Sequence, residues 1–158
     1  MLRLVYRGGY WAMRGWSAVL HPRRRGVKCV LRDGAGRIVW VRHTYGDRGA
    51  WELPGGAARR SESPVEAARR EAREELGVDV EAIELMAQET HLYPHGLQVV
   101  LSFIRCTAPT GTIQSLDGQA FRWVLLADVD PNELLEADRP FVRRLIDSEG
   151  VGDIRRAP

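Results

Sequence analysis

The sequence predicts an α+β fold in which a mixed β-sheet is packed between helices. Two observations predict it. Short runs rich in β-branched and aromatic residues are separated by turn residues, and one long helix with clear start and stop signals lies among them, with shorter helical segments near the end of the chain. A chain of 158 residues, 44% apolar and 28% charged, is large enough for one globular domain with a buried core.

The predicted strands begin with a hairpin. Gly26–Leu31 and Arg37–His43 are β-rich runs, and Asp33–Gly36 between them is a turn signal. Trp51–Leu53 is short and extended, because the proline that follows disfavours helix in the residue before it. Three further strands are predicted over Ile83–Thr90, Leu97–Cys106 and Phe121–Leu126.

The long helix is predicted over residues 64–76. Ser63 is a favourable N-cap, Pro64 suits the first helical position, and Glu66 completes a capping box. Gly77 supplies the stop. Two shorter helices are predicted over Asn132–Glu136 and Pro140–Asp147.

Charge is distributed unevenly along the chain. The first 28 residues hold seven basic residues and no acidic one, whereas acidic residues outnumber basic ones in the remainder. We therefore expect a basic N-terminal arm (1–25), a main domain (26–150) and a C-terminal tail (151–158). Residues 2–20 can form an amphipathic helix that packs on the domain or on a second subunit as a homodimer contact; the alternative is a membrane-surface or nucleic-acid-binding arm. We favour packing, so nucleic acid is not an expected partner.

The composition argues against a membrane span. No stretch approaches the roughly 20 apolar residues that a transmembrane helix needs. Arg7 and Arg14 interrupt the N-terminal apolar segments, which a signal peptide would not tolerate. Cys29 and Cys106 lie far apart in strand-like runs and are expected to be buried, reduced thiols, so a cytoplasmic location is expected.

Three glutamates of the long helix carry the strongest functional signal. Glu71 lies one helical turn before both Glu74 and Glu75, so one stripe of the helix holds three carboxylates. Like charges at this spacing repel one another, and stability alone would not gather them. A hard divalent cation makes the arrangement favourable, because Mg²⁺ and Mn²⁺ prefer carboxylate oxygens.

The stretch around these glutamates resembles the Nudix hydrolase box. The matching positions are Gly56, Glu62, Arg70, Glu71, Glu74, Glu75, Gly77 and Val78. Ala72 is smaller than the aliphatic residue usual at its place, a difference that concerns packing under the helix. The resemblance implies an α/β/α sandwich and a Mg²⁺-dependent enzyme, with Mn²⁺ as a substitute, that hydrolyses the diphosphate between a nucleoside and a second group X.

The resemblance also implies roles for individual residues. The metal ligands would be Glu71, Glu75 and the backbone carbonyl of Gly55, with Glu74 binding directly or through water. Arg70 and Glu62 would orient the carboxylates, while the motif glycines Gly56 and Gly77 bound the loop and the helix. The general base would be Glu71 or Glu74 of the box, or a later carboxylate, for which Asp117 is the best candidate.

The box does not identify the group X. Tyr45, Trp51, His91 and Tyr93 are the candidate substrate-binding residues. Pro94 lies at a spacing after the box that is typical of relatives active on ADP-ribose, so ADP-ribose or a nucleotide sugar is the favoured substrate type. Three alternatives remain: a nucleoside triphosphate pyrophosphatase, a ligand-sensing domain without catalysis, and an RNA 5′-end pyrophosphohydrolase.

Overall fold

The structure, a computed structural model, describes residues 23–42, 49–93, 96–107, 113–114 and 119–149. The predicted N-terminal helix and the predicted C-terminal tail lie outside the described residues. In the described part of the chain, neither α-helix is long and apolar enough to cross a membrane.

The described strands form a mixed sheet, as the sequence predicts. The strands are β1 (Arg23–Arg32), β2 (Arg37–Arg42), β3 (Gly55–Ala57), β4 (Glu81–Leu92), β5 (Gln98–Thr107) and β6 (Ala120–Leu125). They are ordered β4-β5-β1-β2-β6, and the short β3 pairs with β1. Strands β1 and β5 are parallel, whereas the other pairs are antiparallel. Strand β1 begins three residues before the predicted run, and β3 was not predicted.

The first hairpin turns as its sequence requires. The carboxylate of Asp33 accepts hydrogen bonds from the backbone amides of Ala35 and Arg37, at 3.0 and 2.9 Å. Gly36 has a φ of 78°, a conformation open to glycine at no steric cost. The turn therefore fixes the register in which β2 returns along β1.

The two α-helices are α1 (Pro64–Leu76) and α2 (Arg139–Ser148). Helix α1 has the predicted bounds. Ser63 and Glu66 form the reciprocal capping box, and Gly77 ends the helix at a φ of 66°. The local hydrogen bonds at both ends fix where α1 begins and ends, and the packing of Ala68, Ala72 and Leu76 on the sheet sets which face carries the buried glutamates.

One helix packs on each face of the sheet. The cluster under α1 includes Cys29, Leu31, Ala68, Ala72 and Leu76. The cluster under α2 includes Val30, Trp40, Phe103, Phe141 and Val142. Alternate residues of β1 belong to different clusters, as expected for a strand buried on both faces. The predicted sandwich is thereby confirmed, and Cys29 and Cys106 are buried, free thiols as predicted.

The helix predicted over Asn132–Glu136 is wrong. Only Pro131–Glu133 form a short 3₁₀ helix, capped by the Asp130 carboxylate. The chain then extends, because Leu134 is buried and forms a parallel bridge with Trp51. Tertiary pairing with the segment before β3 thus overrides the local helix propensity.

Candidate metal and active site

The three glutamates of α1 differ sharply in burial. Glu71 and Glu75 are each 8% exposed, whereas 49% of the Glu74 side chain is exposed. Glu71 and Glu75 point toward the Gly55–Gly56 segment, and Glu74 faces the surface beside Arg59. The carboxylate stripe predicted from the sequence is therefore divided into a buried pair and one exposed member.

Two glycines bring the loop before α1 close to the buried pair. The backbone amide of Gly55 donates a hydrogen bond to Oε2 of Glu75, at 2.9 Å. Gly55 has a φ of 153°, and a Cβ there would lie 2.0 Å from the backbone oxygen of Val27. A Cβ on Gly56 would lie 2.6–2.7 Å from the carboxylate atoms of Glu71. Larger residues at either position would have to displace the loop or the carboxylate.

Arg70 forms hydrogen bonds with Glu62, Glu71 and Glu74 and with the backbone before α1. Its guanidinium binds both carboxylate oxygens of Glu62, at 2.8 and 3.0 Å. Nη1 donates to Oε1 of Glu71 at 2.7 Å and to Oε2 of Glu74 at 3.0 Å, and Nη2 donates to the backbone oxygen of Ala57. We call Arg70, Glu62, Glu71 and Glu74 the Arg70 cluster. A planar guanidinium is the side chain that can make these bonds together.

The electrostatics of the site follow burial. Burial raises the pKa of Glu71, and the Arg70 guanidinium opposes the shift. Burial raises the pKa of Glu75 to about 8, although the Gly55 amide and the charge of Lys28 oppose it. The hydrogen bonds from Arg70 lower the pKa of Glu62 to about 2. At Glu71 and Glu75 the nearby positive charge does not offset the effect of burial on the pKa. At Glu62 the hydrogen bonds from Arg70 more than offset it, so the charged form of Glu62 is stabilised.

The donor set of the buried pair fits a hard divalent cation. Two carboxylates lie beside a glycine loop, and both have pKa values raised by burial, so a bound cation would relieve their desolvation. Within the described ranges, no group of three or more His, Cys, Asp or Glu side chains is arranged to hold a metal ion. The predicted ligand set of Gly55, Glu71, Glu74 and Glu75 stays a prediction.

Two arginine side chains lie over the ring of Trp51. The guanidinium carbons of Arg42 and Arg122 are 4.8 and 4.2 Å from the centre of its ring. Arg122 is also paired with Glu133, at 2.7 Å. Cation–π contacts of this kind hold the ring in place and surround it with hydrogen-bond donors. Trp51 therefore stays a candidate for substrate binding, in a setting that suits an anionic ligand.

His91 and Tyr93 lie on a different part of the sheet from Trp51, whose neighbour Glu52 forms a bridge with Val41 of β2. His91 and Tyr93 contact each other at the end of β4, with ring centres 4.5 Å apart and nearly perpendicular planes. In the sheet, β4 is three strand spacings from β2, or roughly 14 Å. Tyr45 and Asp117 lie outside the described residues. The structure therefore shows two separate groups of candidates, and their roles stay predictions.

A buried ionic group that was not predicted from the sequence lies beside the site. Lys28, on β1, binds Glu52 at 2.6 Å and lies 3.6 Å from Asp138; we call these three residues the Lys28 triad. The sequence does contain a signal for it. A lysine in the middle of the apolar run Val27–Leu31 must be buried with the strand, and a buried ammonium requires carboxylate partners.

Comparison with known proteins identifies the family. A sequence model of the NUDIX domain matches residues 22–145, and the chain therefore belongs to the NUDIX family. This confirms the resemblance drawn from the box. At the level of class, the domain and its relatives indicate a hydrolase that acts on pyrophosphate bonds, and members of this class generally use divalent cations.

Individual relatives are distant. The chain is 32% identical over 107 residues to an RNA pyrophosphohydrolase of Teredinibacter turnerae, a match covering 65% of this chain and only 56% of the relative. It is 31% identical over 127 residues to a MutT-like protein of Streptomyces ambofaciens, covering 78% and 75%. The crystal structure of a MutT NUDIX hydrolase from Burkholderia pseudomallei has a TM-score of 0.69 at 27% identity, covering 77% and 97%.

Proposed function

We propose that this protein hydrolyses the pyrophosphate bond of a nucleotide-type substrate, with Mg²⁺ bound at Glu71 and Glu75. The observation that carries the proposal is the burial of these two carboxylates on one face of α1, beside the Gly55–Gly56 segment. Burying two like charges is unfavourable unless a cation shares the site. Mn²⁺ has the same preference for oxygen ligands and is expected to substitute.

The residues of the site have different roles in the proposed reaction. When bound, the ion supplies positive charge for the phosphate oxygens and lowers the pKa of bound water. The Gly55 amide orients Glu75, and Arg70 orients Glu71 and ties it to the loop through Ala57. A general base must then accept a proton from the attacking water. Glu71, Glu74 and Asp117 remain the candidates for that base.

For the substrate, we favour a nucleoside diphosphate linked to a second group, of the ADP-ribose or nucleotide-sugar type. Trp51 and the two arginines beside it support an anionic ligand with an aromatic part. The segment from Trp51 to Gly55 is short, and four residues span at most about 14 Å. A ligand of nucleotide size whose diphosphate lies at Glu71 and Glu75 can therefore reach the Trp51 ring.

A second candidate is hydrolysis at the triphosphorylated 5′ end of RNA. It is favoured by relatives named RNA pyrophosphohydrolases, at 32% and 34% identity. The reaction would use the same carboxylates and differ in what binds next to the diphosphate. A nucleoside triphosphate pyrophosphatase remains an alternative because other relatives are MutT-like. A dimer contact through residues 2–20 and a cytoplasmic location remain predictions.

A substrate panel distinguishes these candidates. Purified protein is incubated with ADP-ribose, UDP-glucose, a set of nucleoside triphosphates and a 5′-triphosphorylated RNA oligonucleotide, with Mg²⁺ or with EDTA. We expect ADP-ribose to yield AMP and ribose 5-phosphate in Mg²⁺ alone. A 5′-monophosphorylated RNA product would instead support the second candidate, and pyrophosphate from a free triphosphate would support the third.

The panel needs a control for contaminating hydrolases. The double variant Glu71→Gln/Glu75→Gln, purified in the same way, should lose all Mg²⁺-dependent turnover while it remains folded. Turnover that persists in this variant would show that the proposed carboxylates are not the metal site. Tight binding of a nucleotide to wild-type protein without turnover of any diphosphate would indicate the ligand-sensing alternative.

A further inference from the structure

Among the described residues, Lys28 is the one cationic side chain that is buried, and it lies beside the glycine loop of the proposed metal site. It is 6% exposed and pairs with Gly55 across β1 and β3. Its Nζ donates to Oε2 of Glu52 at 2.6 Å and to the backbone oxygen of Leu53 at 3.2 Å. The ammonium therefore binds the segment that runs from Trp51 to the glycine loop at two successive residues.

Asp138 binds the same segment through a backbone amide. Its Oδ2 accepts a hydrogen bond from the backbone amide of Leu53 at 2.8 Å and lies 3.6 Å from Nζ of Lys28. Asp138 is fully buried and immediately precedes α2. Both backbone polar groups of Leu53 are thus bound by members of the triad. Two residues further along the chain, Gly55 donates to Glu75.

The charges around Lys28 show that it remains an ammonium. Burial alone would lower the pKa of Lys28, but the surrounding carboxylates, those of Asp138 and Glu52 foremost, raise it. A charged group held in this way has little rotational freedom, because any movement would leave buried charges unpaired. The triad is therefore a rigid attachment point for the loop.

We propose that Lys28, held by Glu52 and Asp138, is a positioning residue of the metal site. It fixes the backbone of Glu52 and Leu53, and through them the Gly55 amide that orients Glu75. The inference rests on the proposed function, since it concerns the same site. No role in contacting the substrate is assigned to Lys28.

A positioning role and a purely electrostatic role of Lys28 predict opposite changes in metal affinity when the residue is replaced. A fixed positive charge near a metal site repels a divalent cation, so removing the Lys28 charge without any change of geometry would tighten metal binding. Loss of positioning would weaken it. A charge-neutral replacement of Lys28 and Glu52 together removes the attachment while the net charge near the site stays constant. In the double variant Asp138 keeps its hydrogen bond from the Leu53 amide but loses its cation, so the variant must also be shown to be folded.

The test is the double variant Lys28→Met/Glu52→Met, measured by titration with Mn²⁺ under electron paramagnetic resonance. We expect the Kd for Mn²⁺ to rise roughly 10-fold or more, the usual effect of losing a group that orients a metal ligand. With a hydrolysed substrate, kcat should fall while KM changes little. The matched control is Arg105→Gln/Glu84→Gln, which removes an exposed ion pair between β4 and β5. It should bind Mn²⁺ as wild type does.

Thermal unfolding is measured on the same samples. A Kd for Mn²⁺ that stays at or below the wild-type value in a folded double variant would overturn the inference. If the methionine pair does not fold, Lys28→Gln/Glu52→Gln keeps a polar contact across the same gap and should show an intermediate loss; an unchanged Kd would again overturn it. Wild-type protein that binds no Mn²⁺ would instead contradict the proposed function.

Discussion

The Arg70 cluster and the Lys28 triad both contact the proposed metal site or the loop beside it, but they differ in exposure and in the sequence separation of their members. Arg70 is partly exposed and bonds to Glu62, Glu71 and Glu74, all within eight residues of it along the chain. Lys28 is buried, and its partner Asp138 is far away in sequence and belongs to the other face of the sheet. One group orients the carboxylates directly, whereas the other orients the backbone that the carboxylates contact.

The two groups also differ in how completely their charges are neutralised. Hydrogen bonds from Arg70 lower the pKa of Glu62 to about 2. Burial raises the pKa of Asp138 to about 6, although the charge of Lys28 opposes the shift. The guanidinium of Arg70, near the surface, therefore more than offsets the effect of burial on the pKa of Glu62. The buried ammonium of Lys28 does not offset the effect of burial on the pKa of Asp138.

The largest expected effect is at Glu75, the buried glutamate that accepts a hydrogen bond from the Gly55 amide. Glu75→Gln removes a proposed metal ligand and keeps the shape of the side chain, including an acceptor for the Gly55 amide. We expect kcat/KM to fall by a factor on the order of 10² to 10³. Thermal stability in EDTA near neutral pH should be kept or raised, because Glu75 must take up a proton when the chain folds, whereas the amide is already neutral.

The matched control for this prediction is Glu136→Gln, which alters an exposed glutamate between the 3₁₀ helix and α2. It should leave kcat/KM within about twofold of wild type, as surface substitutions usually do. Full activity of Glu75→Gln in the same assay would show that Glu75 is not a metal ligand.

The second prediction breaks the Arg70 cluster. Arg70→Ala removes the bonds to Glu62, Glu71 and the Ala57 carbonyl together, so Glu71 loses its orientation. We expect activity to fall roughly 10- to 100-fold. Arg70→Lys should recover little, because an ammonium cannot bind both oxygens of Glu62 and still reach Glu71. Recovery of most activity by the lysine variant would mean that charge alone is required.

The contrast also explains how much of the site could be predicted from sequence. The partners of Arg70 are spaced along one helix and the loop before it, so helical periodicity places them together. The partners of Lys28 are brought together by the sheet and α2, which no local spacing reveals. Only the presence of a lysine in an apolar strand hinted at Lys28. The exposure of Glu74 could not be predicted either, because it depends on how α1 is rotated against the sheet.

The fold shows the same division. The bounds of α1 were predicted correctly because Ser63 and Gly77 fix its ends through local hydrogen bonds. The helix predicted near Leu134 was wrong because that residue pairs with Trp51, which is distant in the sequence. Strand β3 was missed for a similar reason, since its two glycines have low intrinsic strand propensity and pair with β1 through tertiary contacts.

The third prediction concerns how the stability of the metal-free protein depends on pH. In the folded protein the pKa of Glu75 is raised to about 8 from an ordinary 4.5, so between these values the folded state holds a proton that the unfolded chain has released. Stability in EDTA should therefore fall as pH rises through this window. The raised pKa of Asp138 acts in the same direction in the lower part of the window. Glu62, with a lowered pKa, loses its contribution only at acidic pH, outside the window.

Melting temperatures from about pH 5 to about pH 8.5 test this prediction. Mg²⁺ should restore stability most at high pH, where Glu75 is deprotonated and able to bind the ion. In Glu75→Gln the fall in EDTA should be smaller than in wild type. A melting temperature that rises across the window in EDTA would contradict the raised pKa values.

The smallest expected effect is at Glu74, the exposed member of the stripe. Its carboxylate lies 3.0 Å from Arg70 and 3.5 Å from Arg59, and contacts of exposed ion pairs are weak. We expect Glu74→Gln to reduce activity about tenfold or less, with Mn²⁺ affinity changed less than in Glu75→Gln. A water-mediated contact with the metal is compatible with a loss of that size. A loss as large as that of Glu75→Gln would instead place Glu74 among the direct ligands or make it the general base, and burial would then be a poor guide to which carboxylates of α1 act on the substrate.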